Sequence, residues 1–363
     1  MRLVSPLLKH AVYPLLAGVG HFQRRARRGR FCVLTYHGVL PEGYRSTDRF
    51  LDGNLVGAES FRRQLHWLKR HVHVVSPEDV RAWLERGKEL PGCAVLLTCD
   101  DGLRNTLTDM LPILREEGLQ CLFFVTGASA DQTTEMLWYE ELYLLLVNAK
   151  AERLSLKALE IETMLGDLPQ RRARWWELVR MLSQRSAQER KSFLESARSQ
   201  LYDRQNMQNQ SGWLRRFQLL TRSELQQLAA AGMTIGAHTL THPLLPEQPE
   251  KFALEEMEGS RQALESVLES PIWAFAYTFG DAASVTEREI ALAERAGFQC
   301  AFVNFGGGFG ASLPRFALPR VHVTGEMELA EFAAHVSGFY QMLHKGRSAG
   351  LPLPEVNGLR AAP

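Results

Sequence analysis

The stretch LLTCDDGLRNT, residues 96–106, carries an apolar run into two adjacent carboxylates and a glycine. Asp100 and Asp101 repel one another, so a pair of them at the end of a buried strand, followed by Gly102, requires a positive group beside them. The runs around it decide the fold. FCVLTYH (31–37), HVVS (73–76), AVLLTC (94–99), CLFFVTG (121–127), MTIGAH (233–238), IWAFAY (272–277), CAFVNF (300–305) and LPRVHV (318–323) read as strands, and helical periodicity fills most of the gaps between them. ESFRRQLHWLKRH repeats apolar residues at Phe61, Leu65 and Leu68, and SPEDVRAWLERG has a start signal in Ser76-Pro77 and a stop signal in Gly87. Such alternation predicts parallel strands covered by helices, in a barrel or a doubly wound sheet, with ligands at the carboxyl ends of the strands.

The chain has 363 residues, 45% of them hydrophobic and 23% charged, enough for one large core with an appendage. A net charge of +1 gives no reason to expect nucleic acid as a partner. Cys32, Cys93, Cys99, Cys121 and Cys300 form no C-x-x-C pair, and several sit in strand-like runs, which reads as reduced, buried thiols of a cytoplasmic protein.

Three segments depart from the alternation. Residues 1–30 are apolar and then basic, ending in Arg24, Arg25, Arg27, Arg28 and Arg30. Lys9, His10 and two prolines break the apolar part, which excludes a spanning helix. The arm therefore either lies on an anionic inner-leaflet surface or packs on the domain. Residues 128–220 lose the strand signal and become helical and charged, with aromatics such as Trp138, Trp175 and Trp176; they read as a helical insertion whose tryptophans either pack helices or cover sugar or lipid. The barrel is thus expected in two parts, 31–127 and 221–345, followed by a flexible tail at 346–363.

The positive group is sought in GAHTLTHPLL, residues 236–245. On a helical turn, His238 and His242 face the same side and share one metal. Two histidines and one carboxylate form a three-ligand set that suits Zn²⁺ first, with Co²⁺, Ni²⁺ or Mn²⁺ as alternatives. One aspartate then holds the ion while the other takes a proton from water, and the ion's charge lets both remain ionised.

These residues resemble the polysaccharide deacetylases, the NodB-homology or carbohydrate esterase family 4 enzymes. Thr98-Cys99-Asp100-Asp101-Gly102 is similar to the family's first motif, and His238-Thr239-Leu240-Thr241-His242-Pro243 to its His-(Ser/Thr)-x-x-His-Pro element. The resemblance implies a distorted (β/α) barrel, Asp100 as base, Asp101, His238 and His242 as metal ligands, and Thr239 as a brace of the metal loop. FAYTFG (275–280) resembles the third motif, placing Tyr277, Thr278 and Phe279 along the groove, with the peptide N–H of Phe279 facing the oxyanion. Ala276 stands where many members have an arginine that holds the base. Arg320 is a candidate replacement, or else a structural ion pair. Tyr36-His37 resembles the N-terminal element of the biofilm poly-N-acetylglucosamine deacetylases, which makes His37 the expected general acid and His322 the alternative. Asp281 either lines the mouth or caps a helix.

The expected activity is metal-dependent removal of an N-acetyl group from an amino sugar of a polysaccharide or lipid-linked saccharide, in cell-surface (exopolysaccharide) biosynthesis, by a cytoplasmic protein with candidate peripheral contact to the inner membrane. The alternatives are a deformylase of an aminosugar lipid and a glycan-binding protein with a vestigial metal site.

Overall fold

The computed structural model describes residues 6–26, 31–45, 48–131, 136–156, 161–201, 216–306, 312–343 and 359–360. All eight runs read as strands are strands: β1 (Cys32–Tyr36), β2 (His73–Val74), β3 (Ala94–Cys99), β4 (Leu122–Val125), β7 (Thr234–Ala237), β8 (Ala274–Ala276), β9 (Cys300–Gly306) and β11 (Leu318–His322). The insertion adds a hairpin of β5 (Arg153–Leu156) and β6 (Ile161–Met164), and β10 (Ser312–Leu313) pairs with β12 (Leu359–Arg360).

Strands β1, β11, β9, β8, β7, β4 and β3 follow one another in parallel, and β1 closes on β3 from Cys32↔Val95 to Tyr36↔Cys99, giving a seven-stranded (β/α) barrel. Strand β2 pairs only with the start of β3. Burial on both faces is what a closed parallel sheet demands, and every residue of β1, β3 and β4 is buried. Side chains alternate: Leu96, Phe124 and Phe302 fill the barrel, while Leu97, Phe123 and Val125 meet the surrounding helices. Gly236 lies where a Cβ would come within 2.6 Å of the Phe124 ring, so the barrel filling itself requires glycine there. Helix Pro77–Arg86 begins with a capping box from Ser76 to Asp79 and ends at Gly87, φ 66°.

Between β4 and β7, helices Trp138–Asn148, Leu168–Ser183 and Ala187–Leu201 pack around their own apolar cluster, which includes Leu142, Leu146, Val179, Leu182, Phe193 and Phe217. The hairpin corrects the all-helical reading of 128–220: RLSL and IETM are four-residue strands, too short for their alternation to stand out. A buried polar junction ties this unit to the barrel, with Arg216 donating to Asp52 at 2.9 Å and Glu140 at 3.0 Å. Burial pushes the Glu140 carboxyl up to about 7 despite the guanidinium beside it.

The described part of the arm is helical. Tyr13, Phe22 and Ala26 are buried against helix Leu329–Val336 and Phe339, and the arm is fixed to the barrel on that side. Arg27, Arg28 and Arg30 lie outside the described residues, as does the tail expected to be flexible, apart from the Leu359–Arg360 pair. All five cysteines are buried. Among the described residues, no helix is long and apolar enough to cross a membrane.

Candidate active site

Strand parity aims the site residues. With Leu96 facing into the barrel, the two-residue period turns Thr98 and Asp100 inward at the carboxyl end of β3. The same count turns His37 inward past Val33 on β1, His238 past Gly236 on β7, and Arg320 and His322 past Leu318 on β11. One mouth of the barrel therefore gathers all of them.

Arg320, 1% exposed, grips both oxygens of Asp100, 2% exposed: Nη1 lies 2.7 Å from Oδ1 and Nη2 2.6 Å from Oδ2. The guanidinium is itself fixed by Val303 O, Thr98 Oγ1 and the Phe124 ring beneath it. Burial alone would raise the Asp100 carboxyl. The charge and hydrogen bonds of Arg320, with His238 nearby, outweigh it and hold the carboxyl below its ordinary value.

Asp101 has φ 77° and Gly102 φ 74°, so the chain turns sharply past the strand. A Cβ at Gly102 would come within 2.7 Å of Val125 Cγ1, which leaves glycine as the residue that fits. Asp101 Oδ1 lies 3.5 Å from His238 Nε2 and 3.4 Å from His242 Nε2. Burial opposes ionisation of Asp101, but hydrogen bonds from the two imidazoles pull its carboxyl well below the usual range.

The donor set fits a metal ion. One ligand atom from each of Asp101, His238 and His242 lies within 4.8 Å of the others, all three residues are buried, and tetrahedral ligands of zinc sit about 3.4 Å apart. His238 Nδ1 donates to Ala276 O at 2.8 Å, which leaves the Nε2 lone pair of the neutral ring for the ion.

The expected helical turn shared by His238 and His242 is not formed. Thr239 and His242 have φ 61° and 57°, and the loop folds back on itself. Gly127 N–H and Ala128 N–H bond to Thr239 O and Leu240 O, and Thr239 Oγ1 accepts from His242 N at 2.9 Å, competing with a helix and prevailing. The insertion holds the loop from outside: Trp138 Nε1 donates to His242 O at 3.1 Å, Ser183 Oγ accepts from Leu244 N at 3.0 Å, and buried Arg190 reaches the Thr241 hydroxyl and Glu256.

The expected groove residues separate. Phe279, φ 59°, sets its ring edge-on to His242 at 5.0 Å, and the Thr278 hydroxyl donates to Pro243 O at 2.6 Å. Tyr277 is not in the groove: parity turns it outward with Phe275, and its hydroxyl donates to Phe316 O at 2.9 Å. Asp281 accepts from Ser284 N and Ala283 N in a turn before helix Glu287–Arg295. Sequence reasoning missed Tyr139, whose ring lies 4.9 Å from that of His242 and 5.5 Å from that of Phe279. Its position follows from the insertion's folding, and no local motif announces it.

His37 and His322 lie with ring centroids 4.8 Å apart, and His37 Nδ1 and His322 Nε2 are buried without a hydrogen-bond partner among the described residues. Burial lowers both; His322 falls to about 3, while Asp101 and Asp100 limit the drop at His37.

A closed parallel barrel with a buried, arginine-held carboxylate next to a His₂Asp cluster suits metal-assisted hydrolysis. The sequence model described as polysaccharide deacetylase matches residues 87–301. The chain belongs to the polysaccharide deacetylase family, hydrolases of carbon–nitrogen amide bonds. No curated protein matches. Solved structures with the same fold include the Streptococcus pyogenes deacetylase PplD in complex with acetate, 16% identical, covering 85% of this chain and 98% of that one with a TM-score of 0.55. IcaB from Ammonifex degensii is 18% identical over 85% of this chain and 97% of its own, TM-score 0.51. A de-N-acetylase from Aggregatibacter actinomycetemcomitans is 14% identical over 84% and 99%, TM-score 0.53. His37, Arg320 and His322 all lie outside the residues matched by the family model.

Proposed function

We propose that the protein removes the N-acetyl group from an amino sugar of a polysaccharide or lipid-linked saccharide, with Asp100 as base and His37 as acid. The observation that carries this reading is the two-point grip of Arg320 on Asp100 beside the Asp101, His238 and His242 cluster. A divalent ion held by that cluster, zinc by its donor set, would supply Lewis acidity for the amide carbonyl and the attacking water. Asp100, kept ionised by Arg320, accepts the water's proton, and the bidentate contact fixes which lone pair faces the nucleophile. The backbone N–H of Phe279 is the donor assigned to the oxyanion. His37, entering the step as the imidazolium, gives its ring proton to the departing nitrogen as the C–N bond breaks and is left as the neutral ring that its burial favours. Release of acetate from N-acetylglucosamine oligomers by the zinc-loaded protein, lost in Asp100→Asn, tests the reading. A protein that binds the oligomers and releases no acetate refutes it, and release of formate alone from N-formyl substrates replaces the acyl group.

A lipid-linked substrate at the inner leaflet is favoured by the arm. Its exposed positions are Pro6, Leu7, His10, Ala11, Pro14, Leu15, Gly18, Val19 and Arg24, a mostly apolar stripe away from the residues that pack on the barrel. Leu7 and Leu15 are each 69% exposed. Residues 1–41 contain seven Lys and Arg and no acidic residue, in a chain of net charge +1. An apolar stripe with a basic segment suits an anionic bilayer surface. Co-sedimentation with phosphatidylglycerol-containing vesicles, weakened by Leu15→Ser with Val19→Ser, is the expected result; equal partition of both proteins removes the membrane contact.

A further inference from the structure

The insertion's tryptophans divide by exposure. Trp138 and Trp175 are each 8% exposed, and their indole N–H groups are bonded inside the protein, to His242 O and Tyr139 O. They pack and anchor. Trp176 is 39% exposed, and its ring stands edge-on to Phe279 at 5.8 Å, while Phe279 stands edge-on to His242 at 5.0 Å. An exposed indole thus lies two ring contacts from a candidate metal ligand. Trp175 also contacts Phe50, at the same 5.5 Å ring separation as Trp176, and Phe50 is 52% exposed. Arg172 sits over the Phe50 ring at 5.0 Å and is paired with Asp48, while Tyr143 stacks on the same ring and its hydroxyl bonds both, which fixes the Arg–Asp pair and leaves the Trp176 indole as the stacking surface.

One exposed aromatic residue is ordinary on a protein surface. Two of them in contact with one buried tryptophan, joined to the catalytic mouth by ring contacts and bordered by an Arg–Asp pair, form a surface with a flat apolar part and a hydrogen-bonding part. A pyranose ring presents the complement: a C–H face that is apolar and weakly positive, and an edge of hydroxyls. The negative face of an indole attracts the first, and a guanidinium and a carboxylate bond the second.

We infer that Trp176 and Phe50 form a saccharide subsite beyond the reacting sugar, in which the next pyranose of a substrate chain lies on the Trp176 indole with Arg172 and Asp48 at its hydroxyls. The inference rests on the deacetylase reading for the chemistry at the metal cluster and deepens it: the substrate class is an oligosaccharide longer than one residue. A single amino sugar held at the mouth does not extend two ring contacts outward, so the subsite selects chains over monosaccharides. It also gives the insertion a part in choosing the substrate.

The experiment uses the full chain loaded with zinc and tri-N-acetylchitotriose as probe. Acetate release and oligosaccharide binding by isothermal calorimetry are measured for the parent, Trp176→Ala and Trp176→Phe, with zinc content and melting temperature confirming that each variant is folded. The expected result is a KM and a Kd raised about tenfold in Trp176→Ala, with kcat changed far less, and most of the loss recovered in Trp176→Phe because a ring face is restored. Equal KM and Kd in the parent and Trp176→Ala overturn the subsite, as does a parent that neither turns over nor binds the trisaccharide. A parent that binds without releasing acetate refutes the deacetylase reading alone; the subsite is then upheld if Trp176→Ala weakens that binding and overturned if it does not.

Discussion

Replacing Arg320 by Met removes both hydrogen-bonding partners of Asp100 and keeps an unbranched chain over Phe124. Both charges are buried, so taking away one leaves the other without compensation, a loss of about 3–5 kcal/mol when the remaining group stays ionised. At roughly 2 °C per kcal/mol for a chain of this size, the melting temperature at neutral pH should fall by about 6–10 °C. The pH dependence carries the sharper test. In the parent, the folded carboxyl titrates below its unfolded value, so its stabilisation is present above the unfolded pKa and is lost as pH falls through the folded one. In the variant, burial, the largest influence on Asp100, is opposed only by the weaker charges of His238 and His37, and it lifts the folded pKa above the unfolded value. The protonated carboxyl then stabilises at low pH, and that contribution is lost as pH rises through the raised pKa. The parent and variant should therefore differ little near pH 4 and increasingly toward pH 8, and Asp100→Asn should remove most of the gap when added to Arg320→Met. Melts in EDTA keep a bound ion from substituting for the guanidinium. Zinc-loaded Arg320→Met should lose about 10²- to 10⁴-fold in turnover, the range of a misplaced general base. A stability gap that is constant across this pH range would refute the assignment of Arg320 as the group that keeps Asp100 charged.

Dialysis against a chelator should abolish acetate release and zinc should restore it, whereas His238→Ala and His242→Ala should show at least a hundredfold weaker zinc uptake in a chromophoric-chelator competition. His37→Ala should lower kcat by about 10²- to 10⁴-fold and remove one limb of the pH–rate profile, while His322→Ala should change kcat by less than tenfold; the reverse order would exchange their roles. Gly102→Ala forces a Cβ onto Val125 in a left-handed backbone, and an apparent stability equal to the parent's in urea melts would contradict that account. Trp138→Phe removes one hydrogen bond from the loop that carries His242, and a roughly tenfold loss of zinc affinity is expected, against none if the bond is incidental.

The fold was legible because its signal is repeated. Each strand needs burial on both faces, and each helix between strands needs one apolar side, so eight short runs and their spacers agree with one another. The hairpin Arg153–Leu156 with Ile161–Met164 was missed because two four-residue strands offer little periodicity to read. The site residues were legible as types: Asp100, Asp101, His238 and His242 lie at or just past the ends of strands. Their geometry was not. A His-x-x-x-His spacing fits a helical turn, and only the bonds from Gly127, Ala128 and Thr239 show that this one is a folded-back loop. Tyr277 was legible and misjudged, since counting two by two from Phe275 already sends it away from the mouth. Arg320 could be proposed from an empty position at Ala276, yet its inward aim depends on the same count along β11 from Leu318.

The insertion is where sequence and mechanism part. Positive φ at Thr239 and His242 costs on the order of 1–3 kcal/mol per residue, so the loop holding both histidines persists only if its surroundings over-determine it. Those surroundings come in part from far along the chain: Trp138, Ser183 and Arg190 each bond the loop or its neighbours, and Tyr139 packs on the His242 ring. None of them belongs to a motif, and each acts only because helices Trp138–Asn148, Leu168–Ser183 and Ala187–Leu201 share a core that fixes their positions. A segment that reads as an addition to the barrel is therefore also a wall of its metal cluster. The same helices that brace His242 also set Trp176 against Phe279, so the bracing of that histidine and the placement of the proposed subsite follow from one packing arrangement.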